Sequence, residues 1–170
     1  MSLGFAVLLW LHIVSAIGWL GATMVFAMLI GPTLPTLTPA TRNELIVKLL
    51  PKYIRYAEIF TLITPIFGLV LALYISHGSW SVFNPAIYGN LGLYLSIGAL
   101  LSLVAWAVSF GLVAPTGRKV VWFTNEMLKN PSAAPPAGLL RASKRLRTVS
   151  TAGLVILFVI VVCMVAAATG

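Results

Sequence analysis

A histidine lies inside the first apolar run of this chain, where a polar side chain is costly to expose to lipid. The residue is His12, within the run Leu3–Ile30. On a helical wheel, Ser15, Ala16 and Trp19 share its face. The two small residues leave space beside the imidazole, and the tryptophan forms a wall. This pattern suits an axial ligand to a haem or one ligand of a copper ion, and equally a histidine that only hydrogen-bonds a neighbouring helix.

Two sulfur-bearing residues near the end of the chain are candidate partners of this histidine. Cys163 and Met164 lie in the last apolar run, at a membrane depth near that of His12 if this run crosses outward. Soft sulfur and imidazole together suit Cu(I). His77, after the second apolar run, is a further candidate ligand, a pH-sensitive surface group or an ordinary loop residue. Cysteine and methionine also fill space in apolar runs, so both interpretations stay open.

A single acidic residue, Glu58, lies within an apolar run. Arg55 precedes it by three residues, which places the two side chains on one helix face. The spacing predicts a structural ion pair at the membrane interface, and a proton-handling role for Glu58 is the alternative. The sequence has no paired carboxylates, no glycine-rich phosphate loop and no Cys-x-x-Cys. It therefore does not identify a catalytic centre.

The elements that hold these residues are predicted to be membrane-spanning helices, because the composition suits lipid and not water. Of 170 residues, 60% are hydrophobic and 8% are charged, whereas a soluble domain has about 25% charged residues. We predict an all-α fold, in which residues 1–170 form a single transmembrane domain, an integral membrane four-helix bundle. The predicted spans are about 3–30, 53–75, 87–113 and 149–168, the last continuing a helix that begins near Ala137.

Prolines are predicted to end or kink these helices. Pro32 is expected to end the first span and Pro115 the third. Between the first two spans, Thr38 and Pro39 have the pattern of an N-cap followed by a first-turn proline, so a short interfacial helix is expected to begin there. Pro51 is expected to kink or break it. The proline-rich residues 130–136 predict a break between further short helices in the other polar loop.

The basic residues predict how the chain is oriented in its membrane. All eleven Lys and Arg residues fall in the loops after the first and third spans. The positive-inside rule places both loops in the cytoplasm and both termini outside, in a multi-pass protein of the plasma (cytoplasmic) membrane. The net charge of +8 then indicates contact with anionic lipid headgroups, and not with nucleic acid.

Small residues spaced four apart predict where the helices approach each other closely. Gly18 and Ala22 have this spacing in the first span, and Gly98 and Ser102 have it in the third. Within lipid there is no hydrophobic force between helices, so close backbone contact at small residues contributes much of the packing. Both faces are therefore expected to contact neighbouring helices.

The string Leu11-His12 followed by Gly18-Trp19-Leu20-Gly21 resembles the first helix of the CopD-like copper-resistance membrane domain, which often carries Leu-His and then Trp-x-Gly-Gly. The end of the third span, Gly111–Pro115, the basic loop after it and Met164 in the closing helix are similar to the same group. Four helices with a histidine in the first also resemble the membrane-bound haem-containing protoporphyrinogen oxidase family. These resemblances imply that His12 binds the cofactor.

Three functions are consistent with these patterns. The first is a b-type haem protein for electron transfer or haem handling, with His12 as the axial ligand. The second is copper binding or copper transport through His12, Cys163 and Met164. The third is a cofactor-free accessory subunit of a larger membrane complex. As partners, either a homo-oligomer or a larger membrane complex is expected. The family resemblance favours the haem.

Overall fold

The computed structural model describes residues 2–130 and 134–169, and all regular secondary structure in these residues is helical. Residues 131–133, within the predicted proline-rich break, lie outside the described residues. The longer α-helices are α1 (Leu3–Met24), α2 (Pro39–Ile75), α3 (Pro85–Val108), α4 (Ala114–Lys129) and α5 (Ala137–Thr169). Shorter helical segments are Val25–Ile30 and Ser109–Val113 (π), Gly31–Thr33 (α), and Leu34–Thr36 and Trp80–Phe83 (3₁₀).

Four helical stretches are long and apolar enough to cross a membrane. Their most apolar windows have mean hydropathies between 2.0 and 2.8, and no more than 22% of any window is buried within the protein. An apolar surface of this extent suits lipid as the surrounding solvent. The all-helical fold class is confirmed, with four long helices compatible with a membrane helical bundle. The stretches are Leu3–Thr36, Pro39–Ile75, Pro85–Lys129 and Ala137–Thr169.

Helical structure continues past Pro32 and Pro115, so the predicted helix ends at these two prolines are wrong. A π-helical turn precedes each of them, Val25–Ile30 in one case and Ser109–Val113 in the other. The backbone N–H of the residue before each proline donates to the carbonyl five residues back, and not four. A proline ring clashes with the carbonyl four residues before it. The wider π turn displaces that carbonyl, which lets the helix continue.

Helix α2 begins at Pro39, as the sequence predicts. The backbone N–H of Thr41 donates to Oγ1 of Thr38 over 3.3 Å, which caps the first turn. The helix then continues without a break, so the expected break at Pro51 is wrong, while the alternative of a kink there stays a prediction. Helix α5 begins at Ala137, which confirms the predicted start of the last helix.

The chain divides into two compact units. The first, here called the histidine unit, comprises Met1–Leu20, Phe60–Trp106 and Val155–Gly170; the second, the charged unit, comprises Gly21–Ile59 and Ala107–Leu154. The sequence of the histidine unit contains both histidines and no Lys, Arg, Asp or Glu. All eleven bases and all three acids belong to the charged unit.

The core of the histidine unit joins α1, α3 and α5. Trp19, Ala105 and Leu157 are buried together there. Gly18 of α1 contacts the ring of Phe60, and Gly98 of α3 contacts the Cε atom of Met164. These contacts confirm that the small-residue faces at Gly18 and Gly98 pack closely against neighbouring helices.

The core of the charged unit joins the first π segment with α2, α4 and α5. Phe26 stacks on the ring of Tyr53, with 4.2 Å between ring centroids. Gly117 of α4 lets Ile54 approach closely, since a Cβ atom at this glycine would lie 2.7 Å from the Cδ1 atom of Ile54. The buried residues of this core are Phe26, Leu50, Ile54, Ala114, Val120 and Leu146.

Candidate functional site

The imidazole of His12 lies against helix α2 of the histidine unit. Its Nδ1 atom is 3.2 Å from the backbone carbonyl oxygen of Thr64. Gly68, one turn further along α2, leaves room for the ring, because a Cβ atom there would lie 2.9 Å from Cε1 of His12. One hydrogen bond and one close contact therefore hold the half-buried ring against α2, as expected for a polar side chain that is kept out of lipid.

The hydrogen bond to Thr64 determines which ring nitrogen remains available. A carbonyl oxygen only accepts, so Nδ1 of His12 carries the hydrogen and donates it. In the neutral ring the lone pair then belongs to Nε2. Metal-ligating histidines commonly have this arrangement, in which one nitrogen donates to a backbone carbonyl and the other binds the metal. The tautomer of His12 is therefore the one in which Nε2 could bind a metal.

Two buried hydroxyl groups lie on the same face of α2. Thr61 is 0% exposed and Thr64 is 6% exposed, and neither Oγ1 atom has a hydrogen-bond partner among the described residues. Thr61, Thr64 and Gly68 are three and four residues apart, so they lie on one face of α2. This face contacts His12 at Gly68. Leaving a buried hydroxyl unpaired costs about 1–3 kcal/mol. These groups are therefore available to an ordered water molecule or to a polar group of a ligand.

The other residues predicted to surround the histidine have mainly structural contacts. The Oγ atom of Ser15 donates to the carbonyl of His12 over 2.9 Å, within α1. Ala16 is half-buried. Trp19 is 4% exposed and packs with the core of the histidine unit. Ser15 and Trp19 thus fix the local structure of α1 around the histidine.

The sulfur-bearing residues contact a different helix. A Cβ atom at Gly98 of α3 would lie 3.8 Å from Sδ of Met164 and 3.9 Å from Cβ of Cys163. His12, by contrast, has its described contacts with α2. Within residues 2–130 and 134–169, no group of three or more His, Cys, Asp or Glu side chains is placed to hold a metal ion.

The second histidine lies in the turn that follows α2. The side chain of His77 is exposed, and its φ of +53° is in the left-handed region, which non-glycine residues adopt mostly in turns. Its backbone N–H donates to the carbonyl of Tyr74 over 3.3 Å. His77 therefore has the local geometry of a turn residue.

Glu58, the acidic residue within an apolar run, lies in the charged unit. Its ion-pair partner is on another helix, so spacing along α2 does not indicate it. Its carboxylate forms an ion pair with Arg118 of α4, 60 residues further along the chain. Arg55, the predicted partner, lines the same cavity as Glu58 and Arg118. The sequence signal for Arg118 is only its position as the first base after the third apolar run, which does not reveal a contact with α2.

No family model, no curated protein and no solved structure matches this chain. Helical membrane bundles serve many activities, so the fold class alone does not assign a function. The function is therefore inferred from the geometry at His12 and from the distribution of charged residues along the chain.

Proposed function

We propose that this chain is a multi-pass membrane protein that binds a b-type haem through Nε2 of His12 and serves electron transfer or haem handling. The hydrogen bond from Nδ1 to the Thr64 carbonyl is the observation that carries this proposal. It orients the imidazole, fixes its tautomer and leaves Nε2 free as a ligand. The resemblance of the first helix to cofactor-binding membrane families supports haem as the group that is bound.

The residues around His12 have separate roles in this proposal. The iron of a bound haem would supply one-electron chemistry. The Thr64 carbonyl holds the imidazole in one tautomer, and the missing side chain at Gly68 lets the ring lie against α2. The hydroxyls of Thr61 and Thr64 offer hydrogen bonds to polar groups of the cofactor or to water. The histidine unit contains no charged residue, so the two carboxylates of a bound haem would depend on hydroxyl and backbone donors there.

We further propose that the chain lies in the plasma membrane with both termini outside and both basic loops in the cytoplasm. The confinement of all eleven bases to the loops after the first and third apolar runs supports this orientation. In this arrangement α4 and the first turns of α5 lie at the cytoplasmic interface, where their bases meet lipid headgroups. His12 then lies towards the outer side.

An absorption spectrum of the purified protein tests the haem proposal directly. Wild-type protein, expressed with adequate haem supply, is expected to show a Soret band that the His12→Ala variant lacks. His77→Ala is the matched control, because it removes the other histidine, which is exposed, and it should keep the band. Circular dichroism of each variant establishes that the helices remain intact.

Elemental analysis of the same preparations separates the alternatives. If the wild type contains stoichiometric copper, and both His12→Ala and Met164→Ala lose it, then His12 belongs to a copper site and not to a haem site. If wild-type protein with intact helices shows neither colour nor metal after haem reconstitution, the haem proposal is contradicted. That result would then favour the accessory subunit without a cofactor of its own.

A further inference from the structure

A cavity of about 400 Å³ lies in the charged unit between α2 and α4. Helix α2 contributes four of its lining residues and α4 contributes two. Two guanidinium groups and one carboxylate lie among apolar side chains, and the proposed haem site is in the other unit. The lining residues are Pro51, Ile54, Arg55, Glu58, Arg118 and Val121.

The cavity has an excess of positive charge. Arg118 is paired with Glu58, so these two charges largely compensate each other. The Arg55 side chain forms no ion pair or hydrogen bond with the described part of the chain. A guanidinium offers five N–H donors in a fork that matches the oxygens of a phosphate group. The unpaired Arg55 and the outer donors of Arg118 are therefore suited to bind an anion.

Exposed apolar side chains also adjoin the lining residues, which favours a lipid over a soluble anion. Ile59 follows Arg55 by one helical turn and is 48% exposed, and Trp122 follows Arg118 by one turn and is 58% exposed. Ile54 and Val121 add apolar surface to the cavity wall. A lipid with its phosphate at the arginines would place its glycerol and acyl chains along these residues, whereas inorganic phosphate would leave them uncovered.

We propose that this cavity binds the phosphate group of an anionic phospholipid, with Arg55 as the principal donor and Arg118 as the second. Basic pockets between helices at the cytoplasmic side of membrane proteins are suited to such headgroups. Glu58 orients Arg118 through their ion pair, but its negative charge opposes the phosphate. Removing that charge while keeping a hydrogen-bond acceptor should therefore strengthen the binding of the lipid.

Native mass spectrometry and thermal unfolding of the full chain in a neutral detergent test this proposal. Phosphatidylglycerol is titrated as the probe, with phosphatidylcholine, a zwitterion without net charge, as the comparison. We expect phosphatidylglycerol to raise the Tm of the wild type, and we expect Arg55→Gln to weaken its binding by about tenfold, the scale of one charge-assisted hydrogen bond. Glu58→Gln, which keeps an acceptor for Arg118, should bind the lipid more tightly than the wild type does.

Two matched variants keep the test specific to the cavity. Lys52→Gln and Lys119→Gln each remove one exposed positive charge from α2 and α4, at positions that do not line the cavity. Both should keep the affinity of the wild type. Equal losses in these variants and in Arg55→Gln would show general charge attraction and overturn the proposal.

Further outcomes would overturn it as well. Equal stabilisation by phosphatidylcholine, which has the same phosphate but no net charge, would show that the cavity does not select an anionic lipid. Equal stabilisation by inorganic phosphate would show that the occupant is a soluble anion. Weaker lipid binding in Glu58→Gln would show that the carboxylate itself is needed for binding. None of these results depends on whether His12 binds haem.

Discussion

The missing side chain at Gly68 lets the imidazole of His12 lie against α2. In Gly68→Ala, the added Cβ atom would lie 2.9 Å from Cε1 of His12, so the ring must move and weaken its hydrogen bond to Thr64. Forcing an extra carbon into such a contact costs about 1–3 kcal/mol. We expect a lower free energy of unfolding in detergent and a reduced Soret band.

The control for this substitution is Gly21→Ala, at a glycine of α1 where an added Cβ atom meets nothing within 4 Å. Alanine forms helices more readily than glycine, so this variant should be at least as stable as the wild type. If Gly68→Ala behaves like Gly21→Ala, the ring of His12 is not confined as described.

The two buried hydroxyls near His12 give a second prediction at the level of single residues. Thr61→Val removes a hydroxyl that has no partner among the described residues, and should stabilise the cofactor-free protein by about 1 kcal/mol. The same change in the cofactor-bound protein should lower cofactor occupancy if the hydroxyl binds it. Thermal unfolding of both forms provides the measurement.

Thr124→Val is the matched control, since Thr124 is equally buried at 0% exposure. Its Oγ1 atom donates to the carbonyl of Val120 over 2.8 Å, so its loss should be neutral or destabilising by up to about 1 kcal/mol. Equal destabilisation of the two variants would mean that Thr61 has a partner, such as an ordered water molecule.

Helix α3 packs against α5 through a glycine and a methionine. Gly98→Ala should destabilise the protein because its new Cβ atom would overlap Cε of Met164, and Met164→Ala should destabilise it by leaving a cavity, at about 2–5 kcal/mol. Combined, the alanine at 98 fills part of that cavity. We therefore expect the double variant to be at least 1 kcal/mol more stable than the sum of the single effects predicts.

Thermal unfolding of the four proteins in this cycle provides the coupling energy. A purely additive cycle would contradict the described contact. The cycle also tests the copper alternative. If Met164 left α3 to bind a metal, its contact with Gly98 would be lost and the stability of the protein would change measurably. Circular dichroism should show the same helix content throughout.

The helix boundaries were the part of the fold that the sequence predicted least well. The rule that proline ends a helix applies to a regular α-helix, whose carbonyl four residues back clashes with the ring. At Pro32 and Pro115 a π turn removes this clash, and no local residue pattern announces a π turn. The start of α2 at Pro39 was predictable, because the capping threonine acts within one turn.

The candidate sites were predictable only in part, for a similar reason. His12 and Glu58 stand out as polar residues in apolar runs, which the sequence alone reveals. Their partners Thr64, Gly68 and Arg118 come from other helices. Such contacts depend on helix register and packing, whereas periodicity identifies only the face of a residue on its own helix.

Every Lys, Arg, Asp and Glu of the chain belongs to one of its two compact units. The proposed orientation can be tested with single cysteines in a Cys163→Ala background. A membrane-impermeant thiol reagent applied to intact cells should label Ala86→Cys, because this exposed position lies in the first turn of α3, directly after the loop without bases. It should reach the exposed Arg145→Cys only after the cells are lysed.

Labelling of Arg145→Cys from outside would invert the orientation and place His12 on the cytoplasmic side. The two positions serve as controls for each other, since one must react before lysis and the other after it. The result is independent of cofactor binding, because it depends only on the distribution of bases and the positive-inside rule.

Cys163 is the only cysteine of the chain and is 8% exposed, packed near Gly98. Two copies of the folded protein therefore cannot bring their sulfur atoms together. Preparations should need no reductant during storage, and a non-reducing gel should contain only the monomer band. The amount of covalent dimer that accumulates with time would then report the fraction of molecules that have unfolded far enough to expose the thiol. Air oxidation is therefore a simple indicator of sample quality.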